Sequence, residues 1–185
     1  MSPEWLSAVA SLLTLIVVAA SAAAALIQLR HMRAANQIIA LNEIRETFET
    51  DKFRDAVRYV YRELPRLYED PVARADLVAV PLQAQYEPAR NVANFFENVG
   101  IYVKRGVLDA NFTADMWGGI ILTSWLRMTP MITNRRRVQN QPQIWQNFEY
   151  LAAICQQFKE RYPNGNYPNA FQRMPEGEIW PEARP

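Results

Sequence analysis

Cysteine and histidine are nearly absent from this sequence, which contains only Cys155 and His31. One cysteine cannot form a disulfide bond within the chain, which is consistent with a reducing compartment. One histidine and one cysteine cannot supply the four ligands of a His/Cys zinc site in a single chain. The sequence also lacks a Gly-rich phosphate loop, a nucleophile elbow and an H-E-x-x-H helix. We therefore predict no metal site, no cofactor and no enzymatic activity.

Proline and glycine are missing from most of the N-terminal half. No proline occurs between Pro3 and Pro65, and the first glycine is Gly100. Because these residues are the strongest interruptions of a helix, their absence predicts one long helix that begins near the N-terminus. Its later part carries Leu41, Ile44 and Phe48 at helical spacing.

Charged residues are absent from Leu6 to Ile27, where only three serines and one threonine interrupt the apolar residues. At 1.5 Å per residue this run is about 33 Å long, enough to cross a hydrocarbon layer of about 30 Å. A cleaved signal peptide is the alternative, but no Lys or Arg precedes the run, and the run is longer than a signal peptide needs. We predict a transmembrane helix over residues 5–29.

The flanking charges predict the orientation of this helix. Only Glu4 precedes it, whereas Arg30 and Arg33 follow it. Basic residues remain on the cytoplasmic side, so residues 1–4 should face outward and the chain after residue 29 should lie in the cytoplasm. Trp5 lies where an aromatic residue anchors a helix at the membrane interface.

The rest of the chain shows helical periodicity and no strand pattern. Thr50, Asp70 and Asp109 are placed to cap successive helices. We expect Pro130 to break or kink one helix, with a polar, basic turn at 133–137. The predicted helices after the membrane segment cover residues 53–64, 71–77, 87–105, 110–128 and 143–161.

The predicted fold class is therefore all-α, with a transmembrane helix that continues into a bundle of about five helices. Residues 30–162 form the cytoplasmic domain, and residues 163–185 form an extended, Pro-rich tail with aromatic residues that include Trp180. Net charge is +1, which argues against nucleic acid as a partner.

Two features predict where the domain is most tightly packed. The uncharged run 116–126 is too short to span a membrane, so we expect it to be the most buried helix. Trp117, Ile121 and Trp125 should form the centre of the core. Gly100 lies inside another helix at a cost of about 1 kcal/mol relative to alanine, which indicates that a second backbone passes close by.

Three motifs follow the apolar segment in order: Asn94-Phe95-Phe96-Glu97-Asn98-Val99-Gly100, Lys104-Arg105-Gly106-Val107-Leu108-Asp109 and Trp145-Gln146-Asn147-Phe148-Glu149-Tyr150-Leu151. With them the sequence resembles the bacterial family catalogued as domain of unknown function 4760. The resemblance implies a membrane-anchored helical domain, and it assigns no catalytic residue. We predict that the protein lies in a bacterial inner membrane.

A set of acidic and basic side chains is the main candidate for a site. Glu97 and Glu149 each follow a phenylalanine on an apolar helix face. Several arginines lie between these two glutamates in the sequence. Such carboxylates and arginines can bind an anionic ligand, but we favour ion pairs that fix the bundle, with Glu97 paired to Arg127 or to an arginine of 135–137. The full set is Glu97, Arg105, Arg127, Arg135, Arg136, Arg137 and Glu149.

Three functional hypotheses follow. The first is an interaction or accessory subunit of a membrane complex, or of a homo-oligomer. The second is a membrane-tethered sensor that binds a small anionic ligand through the Arg/Glu set. The third, which we favour least, is an enzyme with Glu97 or Glu149 as acid or base. The short basic run 135–137 indicates a solvated helix end or a contact with lipid headgroups.

Overall fold

A computed structural model of the chain describes residues 3–175 and 177. Trp180 of the predicted tail lies outside the described residues, as do the side chains of Trp5, Arg30 and Arg33. The all-α fold class is confirmed, since the described elements are helices and include no strand. They are α1 (Pro3–Glu49), α2 (Asp51–Arg62), α3 (Leu64–Leu67), α4 (Pro71–Val78), a 3-10 turn (Ala84–Tyr86), α5 (Glu87–Lys104), α6 (Ala110–Gln139) and α7 (Gln146–Arg161).

Helix α1 is continuous over 47 residues, as the absence of proline and glycine predicted. Its segment Ser11–Leu29 is long and apolar enough to cross a membrane, and 0% of that segment is buried against the rest of the protein. A signal sequence near the N-terminus meets the same criteria. The exposure shows that this segment contributes nothing to the core of the bundle.

The last three turns of α1 belong to the core instead. Ala40 and Ile44 are 8% and 3% exposed. The ring of Phe48 stacks on Trp117 with 5.5 Å between the ring centroids, and meets Phe95 edge to face at 5.2 Å. The helix that carries the apolar segment is therefore also a structural element of the bundle.

Contacts along α1 show the direction of its neighbours. Helix α5 runs antiparallel to α1, because Phe95 lies beside Thr47 whereas the turn after α5, at Arg105, lies beside Gln37. Helix α6 runs parallel to α1, because Phe112 lies beside Leu41 and Trp117 lies beside Phe48.

Helix α7 returns antiparallel along α6. Phe148 meets Trp125 edge to face at 5.1 Å, and Cys155, two turns later, packs beside Gly118. Burial raises the pKa of the Cys155 thiol to about 12, so this thiol stays protonated near neutral pH and is not a nucleophile.

The predicted break at Pro130 and the predicted turn at 133–137 are wrong. Pro130 lies inside α6, which continues to Gln139. Met128, Met131 and Ile132 flank it and are fully buried. Each such burial stabilises by about 1.5–3 kcal/mol, which together exceeds the cost of about 3 kcal/mol for an internal proline. The Tyr68 hydroxyl also donates to the Arg127 carbonyl oxygen at 2.8 Å, one turn before the proline.

The predicted core centre is partly wrong. Ile121 is fully buried, but Trp117 and Trp125 are only half-buried and pack against the edge of the core. The centre is formed by Phe96 and Phe148, both fully buried, whose rings stack at 5.1 Å. An indole is too large to be enclosed easily, so both tryptophans lie at the rim.

Gly100 confirms the predicted close approach of another backbone. A Cβ atom at this position would clash with the carbonyl oxygen and carbonyl carbon of Asn147. Gly119 is the opposite case, since a Cβ there meets nothing within 4 Å. Only the first glycine is required by packing.

Substituting these two glycines should shift stability in opposite directions. Gly100→Ala should lower the free energy of unfolding by about 3 kcal/mol, because α5 and α7 must separate. Gly119→Ala, the matched control, should raise it by up to about 1 kcal/mol through helix propensity alone. Thermal unfolding of the detergent-solubilised chain measures both. A stabilised Gly100→Ala variant would contradict the packing described.

Candidate functional site

The start of α7 lacks a cap of its own. Its N-cap residue is Trp145, which has left-handed backbone (φ 51°) and makes no side-chain capping hydrogen bond. The first N–H groups of a helix have no partner within the helix and need an acceptor from elsewhere. The predicted start at Gln143 is also wrong, because the left-handed residue delays the helix to Gln146.

Glu97 of α5 supplies the missing acceptor. Its Oε2 accepts hydrogen bonds from the backbone N–H groups of Asn147 and Phe148, both at 2.9 Å. Its Oε1 accepts one from the side-chain amide of Asn147 at 2.7 Å. A carboxylate at this position also interacts favourably with the partial positive charge of the helix N-terminus. Glu97 therefore caps α7 from a different helix.

One stripe of α5 holds the start of α7. Glu97, Gly100 and Lys104 follow each other at i, i+3 and i+7, so they lie on one face of the helix. Gly100 lets the backbone of Asn147 come close, and the Lys104 ammonium donates to the Asn147 side-chain oxygen at 3.3 Å. The Glu97 carboxylate, the missing side chain of Gly100 and the Lys104 ammonium therefore all meet Asn147.

The predicted ion pair between Glu97 and an arginine is wrong. Within the part of the chain that the structure describes, Glu97 has no arginine, lysine or histidine nitrogen within 4.0 Å. Its three hydrogen bonds to Asn147 and Phe148 satisfy the carboxylate instead. Backbone N–H groups at a helix start replace the cation.

Arg136 is the arginine that joins α6 to α7. Its Nη1 contacts Glu149 Oε2 at 2.7 Å, and its Nε donates to the Ile144 carbonyl oxygen at 2.8 Å. Its guanidinium carbon lies 5.9 Å from the ring centroid of Trp125. The Arg136 side chain is 18% exposed and the Glu149 side chain 53%. An interhelix ion pair is thus formed, and it closes the turn between the two helices.

The remaining arginines of the predicted set lie elsewhere. Arg135 donates to the carbonyl oxygens of Leu77 and Ala79 at 3.1 and 3.0 Å. Burial, and secondarily the charge of Arg90, lower the pKa of Arg135. The other three side chains are exposed and belong to no ion pair among the described residues: Arg105, Arg127 and Arg137. The set is therefore divided among separate places.

Sequence reasoning missed Asn147, Lys104 and the partner of Trp145. The indole N–H of Trp145 donates to the side-chain oxygen of Asn94 at 2.8 Å. One signal could have pointed to this junction: no Ser, Thr, Asp or Asn stands directly before the apolar stripe of α7. A helix without a local cap requires an acceptor from another element.

Two clefts lie at the surface of the domain. A groove of about 470 Å³ lies between α4 and α6 and is lined by Tyr68, Leu77 and Met131 among others. A second cleft of about 540 Å³ lies between α1 and the turn after α5. Among the described residues, no group of three His, Cys, Asp or Glu side chains is placed to hold a metal ion.

These features define an all-helical protein with one N-terminal candidate membrane span and a helix junction capped from α5. The family model for the domain of unknown function 4760 matches residues 15–155. The match covers most of the chain, so the chain belongs to this family. No curated protein and no solved structure matches the chain significantly. The matched region includes most of the apolar segment Ser11–Leu29 and the Glu97 junction.

Removing the charge of Glu97 should destabilise the fold without any rescue by arginine substitutions. Glu97→Gln should cost about 1.5–3 kcal/mol, as expected when a hydrogen bond to a charged group is lost. Glu149→Gln is the control, and should cost less than about 1 kcal/mol because its ion pair is half exposed. Thermal unfolding in detergent measures both.

The double substitutions identify the partner of Glu97. Adding Asn147→Ala to Glu97→Gln should cost less than the sum of the two single changes, because both changes act on one network. Adding Arg127→Ala or Arg137→Ala should be additive. Recovery of stability with either arginine variant would contradict the capping role.

Proposed function

We propose that this protein is a single-pass membrane protein whose helical domain acts as an interaction subunit at the cytoplasmic face of a bacterial inner membrane. Residues 1–4 face outward, residues 5–29 cross the membrane, residues 30–162 form the domain and residues 163–185 form the tail. The observation that carries the proposal is the continuity of α1. One uninterrupted helix includes both the fully exposed apolar segment and the buried Ile44.

The interaction surface that we propose is the free face of α1 just after the membrane segment. Gln37, Leu41 and Ile44 face the domain, where they line its clefts or enter its core. Met32 and Ile39 lie on another face and are 61% and 57% exposed. At 1.5 Å per residue, Ile39 is about 15 Å beyond Leu29, outside the hydrocarbon layer. Exposed apolar side chains in such a position favour a protein interface.

A second copy of the chain is the partner that fits this face best. Met32, Ala35 and Ile39 recur at i, i+3 and i+7, which is the spacing of a coiled-coil seam. In two copies anchored in one membrane, the α1 helices run parallel to each other, so their seams can face each other. Tethering to the same membrane also raises the effective concentration of the copies.

A specific observation favours a second candidate, an anion sensor. Arg135 is partly buried, donates hydrogen bonds to two backbone carbonyl oxygens and forms no ion pair among the described residues, and its Nε has no hydrogen-bond partner. Leu77, one of the two acceptor residues, lines the groove of about 470 Å³ between α4 and α6. An anionic metabolite that compensates this charge should raise the melting temperature by several degrees. A screen of the solubilised chain against nucleotides and phosphate tests this alternative.

Reporter fusions test the orientation. Alkaline phosphatase fused after Arg161 should be inactive, because the enzyme folds only outside the cytoplasm, whereas green fluorescent protein at the same position should fluoresce. The basis is the excess of Arg over acidic residues directly after the segment. An active phosphatase would reverse the orientation. Loss of the first residues from the mature chain would instead identify a cleaved signal sequence.

Cysteine cross-linking tests the seam. In a Cys155→Ser background, Ile39→Cys should form a disulfide-linked dimer in membranes under mild oxidation. Arg45→Cys is the matched control, since this exposed residue points away from the seam on the same helix. Cross-linking at position 45 but not 39 would place the interface elsewhere. A cross-link only to a larger unrelated protein would identify a hetero-complex.

A further inference from the structure

We propose that residues 178–185, which lie outside the described residues, dock along the outer face of α6. The outer face is the row of side chains that α6 turns toward the solvent. The inference goes beyond the proposed function, because it concerns another helix and requires no membrane. The outer face consists of Phe112, Met116, Gly119, Thr123, Leu126 and Pro130.

The outer face is a continuous apolar stripe. Its residues follow each other at intervals of four, three, four, three and four positions, which keeps them on one side of the helix. Phe112, Met116 and Leu126 are 43%, 56% and 63% exposed, and Thr123 is half-buried. At 1.5 Å per residue the stripe is about 27 Å long. The described part of the chain leaves it uncovered.

Charged side chains are missing from α6 where a helix surface normally has them. The run 116–126 is uncharged, and burial explains only one side of it, through Ile121 and Ser124. The solvent side of a helix normally carries polar and charged residues, whereas a helix that is apolar on all sides is covered. An exposed apolar stripe of this length indicates a contact surface.

Gly119 leaves an open gap in the middle of the outer face. A Cβ atom at this position meets nothing within 4 Å among the described residues, whereas a Cβ at Gly100 would meet the Asn147 backbone. Glycine inside a helix costs about 1 kcal/mol relative to alanine. Packing within the described domain does not require this glycine, so its position favours the close approach of another segment to α6.

The end of α7 brings the rest of the chain to the start of the outer face. Helix α7 runs antiparallel to α6, with Cys155 beside Gly118. Arg161 is six residues after Cys155 and Phe112 is six residues before Gly118, so Arg161 and Phe112 lie at about the same level along α6. The chain therefore leaves the bundle where the outer face begins.

The first part of the tail forms a closed loop. Arg173 Nη2 donates to the Asn164 carbonyl oxygen at 2.6 Å, and the Arg173 guanidinium carbon lies 4.9 Å from the ring centroid of Tyr167. The Tyr167 hydroxyl donates to the Gln172 carbonyl oxygen at 3.2 Å. This loop returns the chain toward Asn164, three residues after the end of α7. The residues after Arg173 therefore start near the same end of the outer face.

The residues after the loop are long enough to cover the outer face. Pro175, Pro181 and Pro185 favour an extended conformation, which advances about 3.1 Å per residue. Residues 175–185 then span about 31 Å, compared with about 27 Å for the outer face. A Pro-rich segment is also stiff, so it loses less conformational entropy when it docks.

Trp180 and Glu182 match the outer face in chemistry. Trp180 is five residues after Pro175, so an extended chain carries it about 16 Å along α6, to the level of residues 119–123. Glu182 is about 22 Å along, at the level of Arg127. Arg127 is exposed and belongs to no ion pair among the described residues. The segment thus brings an indole to the gap and a carboxylate to an unpaired cation.

The groove between α4 and α6 is too far away for Trp180. Its residues Met131 and Val138 are 19 and 26 positions beyond Phe112, or about 29 and 39 Å along the helix. An extended chain carries Trp180 only about 16 Å from Pro175. Length therefore selects the outer face.

Disulfide cross-linking of the full chain in detergent tests the proposal. In a Cys155→Ser background, Gly119→Cys with Ile179→Cys should form a disulfide within one chain under mild oxidation. The matched control is Arg137→Cys with Ile179→Cys, because Arg137 is exposed on the same side of α6, eighteen residues further on. This separation of about 27 Å should slow the internal disulfide by about tenfold or more. Gly119→Cys preserves the fold, since a Cβ there meets nothing within 4 Å among the described residues.

A charge on the outer face should release the segment. Met116→Asp should slow formation of the 119–179 disulfide about tenfold, because a carboxylate disfavours burial under an apolar segment. Val72→Asp is the control, since Val72 is 70% exposed on α4, and it should leave the rate unchanged. Thermal unfolding at the same temperature as the parent chain shows that both variants are folded.

The position and the kind of disulfide identify the occupant of the outer face. A disulfide within one chain at position 119 but not at 137, slowed by Met116→Asp and not by Val72→Asp, supports the proposal. Equal rates at positions 119 and 137 overturn it, as does the absence of a disulfide at both. Disulfide-linked dimers through position 119 overturn it in favour of a second copy. An unchanged rate in Met116→Asp also overturns it.

Discussion

The contact between α5 and α7 at Gly100 sets the geometry of the bundle. The missing side chain lets the Asn147 backbone lie against α5, and the same face carries Glu97 and Lys104 on either side. Once α7 starts there, its Phe148 stacks on Phe96, and its later residues follow α6. The cap is needed because Trp145 makes no side-chain capping hydrogen bond, so the N–H groups of Asn147 and Phe148 require an acceptor from another helix. Packing and capping thus depend on the same three positions of α5.

The continuity of α1 connects this bundle to the proposed membrane segment. A flexible linker would leave the domain free to tumble, whereas a helix whose last turns enter the core holds it at one height and in one orientation. This constraint makes the two ends of the bundle different. The end at Arg105 faces the proposed membrane, and the end with the arginines of 135–137 faces away. The proposed function follows from this continuity and from the exposed face of α1.

Local rules failed at three places for one physical reason. Pro130 continues a helix because Met128, Met131 and Ile132 are buried around it. Helix α7 starts after Trp145 without a local capping side chain because Glu97, about fifty residues earlier, accepts the backbone N–H groups of Asn147 and Phe148. The arginines predicted to pair with Glu97 do not do so, because N–H groups of Asn147 and Phe148 at the start of α7 already donate to both of its carboxylate oxygens. In each case a distant partner outweighs a local preference.

The sequence by itself determined the long first helix, its apolar segment, the all-α class, the caps at Thr50, Asp70 and Asp109, and the close approach at Gly100. These features depend on neighbours within one or two helical turns, so spacing and composition reveal them. Only the tertiary structure decided which backbone approaches Gly100 and what Glu97 binds. Those contacts join residues far apart in sequence, and the crossing of α5, α6 and α7 brings them together.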